Sequence, residues 1–528
     1  MDHAGELFLG LMVAIAALGA VARWVGVPYP ILMVLGGLGL GFLPGLPDVR
    51  LDPDLVLVLF LPPLLYGAAF FSSLRDLRAA LRPISLLAIG LVVLTTCAVA
   101  VVAHALIDDM PWAAAFALGA VVAPTDPLAA TTIARRLGVP RSIVTVVEGE
   151  SLINDGTALT AYRVAVAAAA GAGFSLWEAG LQFLADACGG VLIGLALGWL
   201  IAAIRARMDD PPVEITISLA TGYAAYLPAE ALGLSGVLAA VAAGIYLAWR
   251  APDIASAQMR MQGFAVWELL MFLLNAVLFV LIGLQLPAIL DGLQSRSFGS
   301  LIASAAAVCA TVVGTRLLWM NTTPFVVRML DRRLRLREGR STWQSRLIVG
   351  WSGMRGAVAM AAALAVPLET DAGAPFPARD LIIFLAFAVI LFTLVVQGLT
   401  LPALIRRLGI EDDGEEEREE LMARRAAAEA ALERLDALEG EDWTRDQTVE
   451  RVRGMYEYRQ RRFSALHDGD GSDGIEERSA AYRRLIRELI EAQREELVRL
   501  RKEREISDDV MRRVQRDLDL EDSRIVEA

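Results

Sequence analysis

Residues 112–134 read WAAAFALGAVVAPTDPLAATTIA, an apolar stretch interrupted at its centre by two prolines with a threonine and an aspartate between them. About 20 apolar residues are enough to cross a bilayer core of about 30 Å as a helix. Pro124 and Pro127 lack the N–H that a helix needs, so two carbonyls one turn earlier lose their partners. In lipid such a break is tolerated only where the backbone is buried in protein or lines a cavity. We therefore predict a broken membrane helix with Thr125 and Asp126 at the break, where freed carbonyls are good ligands for a hard cation.

The composition of the chain separates an apolar body from a charged end. The 528 residues are 56% hydrophobic and 21% charged, and the formal net charge of −12 lies entirely within residues 411–528. A soluble enzyme of this length would spread its charge over several domains. The apolar body excludes that class, a secreted disulfide scaffold, and a nucleic-acid binder in which basic charge dominates. We predict a membrane domain over residues 1–410 and an acidic, helical cytoplasmic domain over residues 411–528.

The hydrophobic pattern predicts about thirteen helical spans. Twenty arginines follow odd-numbered spans, whereas the loops after even-numbered spans hold three arginines and several acidic residues. The positive-inside rule then places the odd-numbered side in the cytoplasm, the N-terminus outside and the acidic tail inside. This topology is that of a multi-pass protein of the cell membrane. The predicted spans cover residues 5–25, 28–46, 53–72, 83–107, 112–134, 142–172, 176–204, 212–228, 234–249, 263–286, 298–327, 345–367 and 379–405.

Residues 148–157 (EGESLINDGT) place several acidic and polar side chains within ten residues of the sixth predicted span. Ser151 and Asp155 are four residues apart and share one helix face, while Glu150 and Asn154 share a neighbouring face. A hydroxyl and a carboxylate beside an amide can form an oxygen cage for a small monovalent cation. The alternative is a polar face that packs on other helices, and the number of intramembrane carboxylates disfavours it.

Residues 350–358 (GWSGMRGAV) surround Arg355 with glycine and serine in the twelfth predicted span. A buried arginine needs a carboxylate or helix C-terminal carbonyls as partners; the alternative is a small-residue packing face from which Arg355 snorkels to the cytoplasm. This interruption lies seven spans after the first, and an odd offset inverts the second half of the chain. Paired interruptions in inverted halves indicate a transporter binding site near the midplane. Asp126 and Arg355 are suited to neutralise the crossed helix ends.

The motifs PTDP, EGESLINDGTAL and GMRGAV resemble those of the first monovalent cation–proton antiporter family, the Na⁺/H⁺ exchangers, over roughly residues 5–408. The resemblance implies an all-α membrane protein of about 13 transmembrane helices, with inverted repeats and crossed broken helices, that works as a homodimer. The helical cytoplasmic tail lies outside the resemblance.

The resemblance also implies residue roles. Asp155 matches the essential carboxylate that binds Na⁺ and H⁺ alternately, and Asn154 matches the asparagine beside it. Ser151 and the backbone of Thr125 match further ligands, which implies a Na⁺ site at Asp155, Ser151 and Thr125. The Asn-Asp pair implies electroneutral, one-for-one exchange.

Two further positions bear on the site. Glu150 resembles a family glutamate that forms a structural ion pair with a buried arginine, for which Arg316 is the first candidate and Arg355 the second. Gly67 stands where many relatives carry a carboxylate. If that carboxylate helps to bind Na⁺, this chain has one ligand fewer, which bears on its affinity and its preference for Na⁺ over K⁺.

We therefore expect a secondary transporter and not an enzyme. It would exchange one cytoplasmic Na⁺ or Li⁺ for one external proton by alternating access at Asp155, because a single buried carboxylate holds either ion and is costly to leave empty and charged. The alternatives are K⁺/H⁺ exchange at the same site and, less well supported, a cation channel or sensor. We expect no cofactor besides the transported ions, no nucleic-acid partner, and a homodimer in a lipid membrane; the tail partner is not assigned.

The tail sequence predicts two helices and a break. The first helix follows an acidic run and extends to about Leu438, the break covers residues 468–474, and the second helix spans about 476–505. Apolar residues at three- and four-residue spacing line one face of the second helix. The pattern fits a solvated helical hairpin and a regulatory or dimer-contact module equally well.

Overall fold

Helices account for nearly all of the regular structure, and the all-α class expected from the sequence is confirmed. The chain divides into two compact units, Met1–Asp412 and Asp413–Ala528. An isolated bridge joins Glu369 to Pro375. The computed structural model describes residues 2–43, 57–108, 110–170, 176–293, 297–330, 342–370, 372–410, 412–468 and 473–527.

The first unit is built from apolar helices. Their bounds are α1 Asp2–Val25, α2 Tyr29–Gly41, α3 Leu61–Phe70, α4 Leu74–Ala79, α5 Leu81–Leu106, α6 Trp112–Val122, α7 Leu128–Arg136, α8 Arg141–Ala170, α9 Leu176–Arg205, α10 Pro211–Ala231, α11 Gly236–Ile254, α12 Ala257–Leu284, α13 Leu286–Asp291, α14 Phe298–Leu330, α15 Trp343–Trp351, α16 Ala357–Leu364 and α17 Arg379–Leu408.

Several of these helices can cross a membrane. Within the described residues, six helical runs are long and apolar enough, and four shorter apolar helices accompany them. The chain is therefore a multi-pass membrane protein. The ends of the predicted spans at 44–46, 53–56 and 171–172 and the arginine-rich loop at 331–341 lie outside the described residues. The long runs are α5, α9, α11, α12 with α13, α14 and α17, and the shorter helices are α1, α2, α3 and α6.

Both predicted helix breaks are present. α6 ends at Val122 and α7 begins at Leu128, because the two prolines between them remove backbone donors. α15 ends at Trp351 and α16 begins at Ala357, after a segment containing two glycines. The backbone N–H of Asp126 donates to the carbonyl of Met354 at 2.7 Å, so the two breaks cross in direct contact.

One arginine lies differently from its expected place in a cytoplasmic loop. Arg205 is the last residue of α9, and its side chain is fully buried. Its Nη2 lies 3.6 Å from Oε2 of Glu214 in the first turn of α10, so that this acidic partner allows burial. Arg163 lies near the end of α8 and pairs with Glu230 at 2.6 Å, where both side chains retain solvent exposure.

The described residues of the second unit form four helices joined by short non-helical segments: α18 Glu415–Leu438, α19 Asp446–Asp468, α20 Asp473–Lys502 and α21 Asp508–Glu527. Two pairs of helices pack against each other: α18 with α19, through Arg453 and Asp436 at 2.6 Å, and α20 with α21, through buried Ile490 and Leu518. The first helix ends at Leu438, as the sequence predicts, whereas the helices at 446–468 and 508–527 were not predicted separately. Of the predicted break, 469–472 lie outside the described residues.

Close packing of α2 on α12 depends on glycine. Gly37 of α2 is buried, and a Cβ built there would overlap the backbone of Val280 in α12. Gly39 lies two residues further along the same helix, is exposed, and has open space where its Cβ would be. Small residues let membrane helices approach each other this closely, and the close approach strengthens the van der Waals contacts between them.

We predict that Gly37→Ala destabilises the first unit and that Gly39→Ala does not. Alanine at position 37 must push α2 from α12, and overpacking of this kind costs about 1–3 kcal/mol. The same change at position 39 meets no atom and gains helix propensity. Thermal unfolding of the detergent-solubilised protein measures both, and equal midpoints for the two variants would contradict the close contact.

Candidate cation-binding site

The crossing of the two broken helices brings opposite helix ends together with opposite charges. Arg355 Nε donates to the carbonyl of Val122 at the end of α6, at 3.0 Å, and another of its guanidinium nitrogens donates to the carbonyl of Gly353. Oδ1 of Asp126 accepts the backbone N–H of Leu128 at the start of α7, at 2.9 Å. The arginine thus covers carbonyl ends and the aspartate an amide end, the arrangement expected from the sequence.

Arg355 is held from a third helix as well. Its backbone N–H donates to Oγ1 of Thr393 at 3.0 Å, and that hydroxyl donates to the carbonyl of Val389 at 2.8 Å. Thr393 begins a π-helical turn, Thr393–Gln397, within α17. π-Turns inside α-helices frequently lie at functional sites. The sequence analysis missed Thr393, and a lone threonine in an apolar span carries no signal that would have identified it.

Thr125 forms hydrogen bonds with three side chains of α8. Its hydroxyl donates to Oε1 of Glu150 at 3.2 Å and accepts from Nδ2 of Asn154 at 2.9 Å. Its carbonyl accepts the hydroxyl proton of Ser151 at 2.8 Å. These three hydrogen bonds, all made by Thr125, therefore fix the unwound segment between α6 and α7 to α8.

Glu150 and Arg316 form a buried ion pair. Nη2 of Arg316 lies 2.7 Å from Oε2 of Glu150, and Nη1 contacts the other carboxylate oxygen. The guanidinium also donates to the carbonyl of Val349 in α15, at 3.2 Å from Nε and 3.0 Å from Nη2. Both side chains are almost completely buried. Of the two arginines considered as partners of Glu150, the structure pairs Arg316 with it, while Arg355 binds backbone carbonyls.

Asp155 differs from these charged residues in having no such partner. It is 6% exposed, and among the described residues no hydrogen bond or ion pair engages its carboxylate. Together with Ser151, Thr125 and Asp126 it lines a cavity of about 740 Å³. Carboxylate, hydroxyl and carbonyl oxygens are suited to a hard cation. Asn154 lies behind Thr125, fully buried, and is absent from the described wall of the cavity.

The cavity extends from Asp155 to the exposed end of α7. Arg135 lines it there, with its side chain two-thirds exposed, and pairs with Glu148 at 2.8 Å. Glu148, which the helix pattern places one turn from Ser151, is therefore compensated at the mouth.

A further carboxylate lines the cavity from a helix other than α8. Glu268 of α12 belongs to the same cavity, and among the described residues it has no ion-pair partner. A Cβ at Gly67 would meet Met271 Sδ at 2.7 Å and the ring of Trp267 at 3.2 Å. Apolar side chains of α12 therefore occupy the space beside Gly67, and Glu268 is one residue from Trp267 on the same helix.

Comparison with known proteins identifies the family. The sequence profile described as "Sodium/hydrogen exchanger, transmembrane" matches residues 10–407. The chain belongs to the Na⁺/H⁺ exchanger family. Members of this family are membrane cation/proton antiporters, and the exchanger described here is a transporter of that kind.

Relatives and a solved structure agree with this assignment. The exchanger is 38% identical to an uncharacterised Na⁺/H⁺ exchanger of Mycobacterium tuberculosis, over 99% of this chain and 97% of that protein. It is 34% identical to a sodium, potassium, lithium and rubidium/H⁺ antiporter of Bacillus subtilis, over 75% and 60% of the two chains. A sodium proton antiporter structure from Methanocaldococcus jannaschii superimposes with a TM-score of 0.59, covering 78% and 99% at 21% identity, and thus shares the antiporter fold.

We predict that Glu150→Gln destabilises the exchanger strongly, because it leaves Arg316 charged and buried. Breaking one side of a buried pair costs about 3–5 kcal/mol. The double variant Glu150→Leu/Arg316→Met removes both charges and should recover at least half of the lost thermal stability. Midpoints of thermal unfolding in detergent measure this.

Glu148→Gln provides the matched control. It breaks the exposed pair with Arg135, for which about 0–1 kcal/mol is expected. The role of burial would be contradicted if Glu148→Gln lowered the unfolding midpoint as much as Glu150→Gln, or if the double variant recovered no thermal stability.

Proposed function

We propose that the protein is an electroneutral antiporter that exchanges one cytoplasmic Na⁺ or Li⁺ for one external proton at Asp155. One observation carries this proposal: Asp155 is a buried carboxylate without a described partner, on the wall of a cavity beside crossed broken helices. An intramembrane ionisable residue that faces a water-filled cavity typically marks an ion path.

The charges around Asp155 support a one-for-one stoichiometry. Glu150 and Arg316 cancel each other, while Arg355 and Asp126 face helix ends of opposite polarity. The single charge of Asp155 is then neutralised equally by one proton or one Na⁺. Because an unpaired charge is costly in the membrane core, the empty carboxylate crosses poorly and exchange is obligatory.

The hydrogen bonds around Thr125 suggest how Na⁺ would bind. In the structure the hydroxyl of Ser151 donates to the Thr125 carbonyl. On Na⁺ binding that hydroxyl would turn its lone pairs to the ion, and the Thr125 carbonyl would be freed. The ion would then be bound by the Asp155 carboxylate, the Ser151 hydroxyl and the Thr125 carbonyl. Asn154 would act by holding Thr125 in place through its hydroxyl.

The cavity suggests which side of the membrane the site faces. It reaches the surface beside Arg135, at the end of the protein that the positive-inside rule assigns to the cytoplasm. We therefore assign this arrangement to an inward-open state in the cell membrane, with the N-terminus outside. Rocking one bundle against the other would expose Asp155 to the external side.

The wider organisation follows the same proposal. Residues 1–410 would carry transport as a homodimer, residues 411–528 would form the cytoplasmic domain, and the transported ions would be the sole small-molecule requirement. K⁺/H⁺ exchange is the second candidate, because one relative is named for sodium, potassium, lithium and rubidium. A channel or sensor is less well supported, because a buried carboxylate without a described partner is costly to leave empty and charged.

We predict that Asp155→Asn abolishes Na⁺-dependent proton movement in proteoliposomes while the protein still folds. The amide cannot exchange a proton for a cation, and it adds no buried charge. Fluorescence-monitored proton flux with Na⁺, Li⁺ or K⁺ at several pH values measures the loss and the ion preference.

Asp186→Asn serves as the control for Asp155→Asn. Asp186 is also buried in a membrane helix, but it accepts a hydrogen bond from Gln182 at 2.8 Å and does not line the described cavity. It should retain most of the exchange rate. Exchange that survives Asp155→Asn would refute the proposal.

We also predict that Glu268→Gln raises the KM for Na⁺ several-fold and leaves the maximal rate within about twofold. A carboxylate on the cavity wall concentrates cations by its field, an effect that salt screens. Asp253→Asn removes an exposed carboxylate that pairs with Arg250 and is absent from the described wall, and should leave KM unchanged. An unchanged KM in Glu268→Gln would argue against this role.

A further inference from the structure

A second cavity of about 720 Å³ lies between α1, α2, α7 and α17. Three arginines from different helices line it: Arg23 in the last turn of α1, Arg136 at the end of α7 and Arg406 in the last turn of α17. No aspartate or glutamate is among its described lining residues. The cavity is therefore strongly positive.

The three guanidinium groups retain free hydrogen-bonding capacity. Nη1 of Arg136 donates to the carbonyl of Gly26 at 3.0 Å, and Nε of Arg406 donates to the carbonyl of Pro402 at 3.1 Å. Within the described chain, none of the three arginines forms an ion pair. Each guanidinium has five N–H donors, so most of these remain available to a ligand.

The rest of the wall is apolar and comes mainly from α1. Ile15, Ala16, Gly19 and Ala20 form a continuous face of that helix along the cavity. A small soluble anion needs the arginines alone, whereas a phospholipid needs both a basic end and an apolar groove. Basic pockets between membrane helices on the cytoplasmic side bind anionic headgroups in this way.

We propose that this cavity binds the headgroup of an anionic phospholipid, with an acyl chain along α1. Phosphate oxygens match the planar donors of arginine and accept bidentate hydrogen bonds from them. Tyr29, Thr132 and Phe272 line both this cavity and the cavity at Asp155. A bound lipid would thus join α1 to α7 and α17 next to the cation site, and its binding does not depend on which ion is exchanged.

The test uses the full-length exchanger, delipidated in a neutral detergent. Phosphatidylglycerol should raise the thermal midpoint by about 3 °C or more, because ligands that bind the folded state alone stabilise it. Phosphatidylcholine and free glycerol phosphate at the same concentration should not. Equal stabilisation by phosphatidylcholine would overturn the charge argument, and stabilisation by glycerol phosphate would overturn the lipid assignment.

Matched variants locate the effect. Arg23→Gln/Arg136→Gln/Arg406→Gln should lose the phosphatidylglycerol-dependent shift. Arg207→Gln/Arg260→Gln/Arg407→Gln should keep it, because it removes the same charge from exposed arginines outside the described cavity wall.

The backbone contact of Arg136 requires one further variant. If its loss prevents folding, Arg23→Gln/Arg406→Gln, which keeps Arg136, should still reduce the shift by at least half. A full shift in that double variant or in the cavity triple variant, or an equal loss in the control triple variant, would overturn the proposal.

Discussion

The cost of leaving backbone polar groups without partners in a membrane governs this structure. Two helices stop within the apolar unit, at Val122 and Trp351, and each stop exposes carbonyl and amide ends that lipid cannot satisfy. The protein resolves this by crossing the two breaks, so that Arg355 binds carbonyl ends and Asp126 an amide end. The charged residues of the crossing are thus required by the breaks themselves, before any ion is considered.

The remaining charges follow from that arrangement. Once Thr125 lies in an unwound segment, α8 holds it through Glu150, Ser151 and Asn154, and the buried charge of Glu150 requires Arg316. Asp155 is then the carboxylate of the crossing that has no described protein partner. A buried carboxylate without a partner is costly to leave charged, and this cost is the physical basis of the proposed cation site at Asp155.

Much of this could be predicted from sequence, because prolines, glycines and intramembrane charges are conspicuous in apolar spans. The two breaks and the cluster around Asp155 were identified in that way, whereas the family resemblance supplied both candidate partners of Glu150. The choice of Arg316 over Arg355 was left open, because it depends on which helices cross. Helical periodicity likewise grouped Asn154 with the candidate cation ligands, whereas in the structure its amide donates to the hydroxyl of Thr125. Burial of Arg205 could not be predicted, since its position at a helix end looks like a loop charge.

The position of α7 has a mechanical consequence. This short half-helix borders two cavities, and Thr132 lines both of them. Protein interiors are packed as densely as organic crystals, and moving a segment through such a medium disrupts many contacts at once. A segment bordered by two cavities can shift by small amounts with less of that disruption. Wherever no ligand fills this space, it would therefore let the half-helix change its position at a low cost in packing.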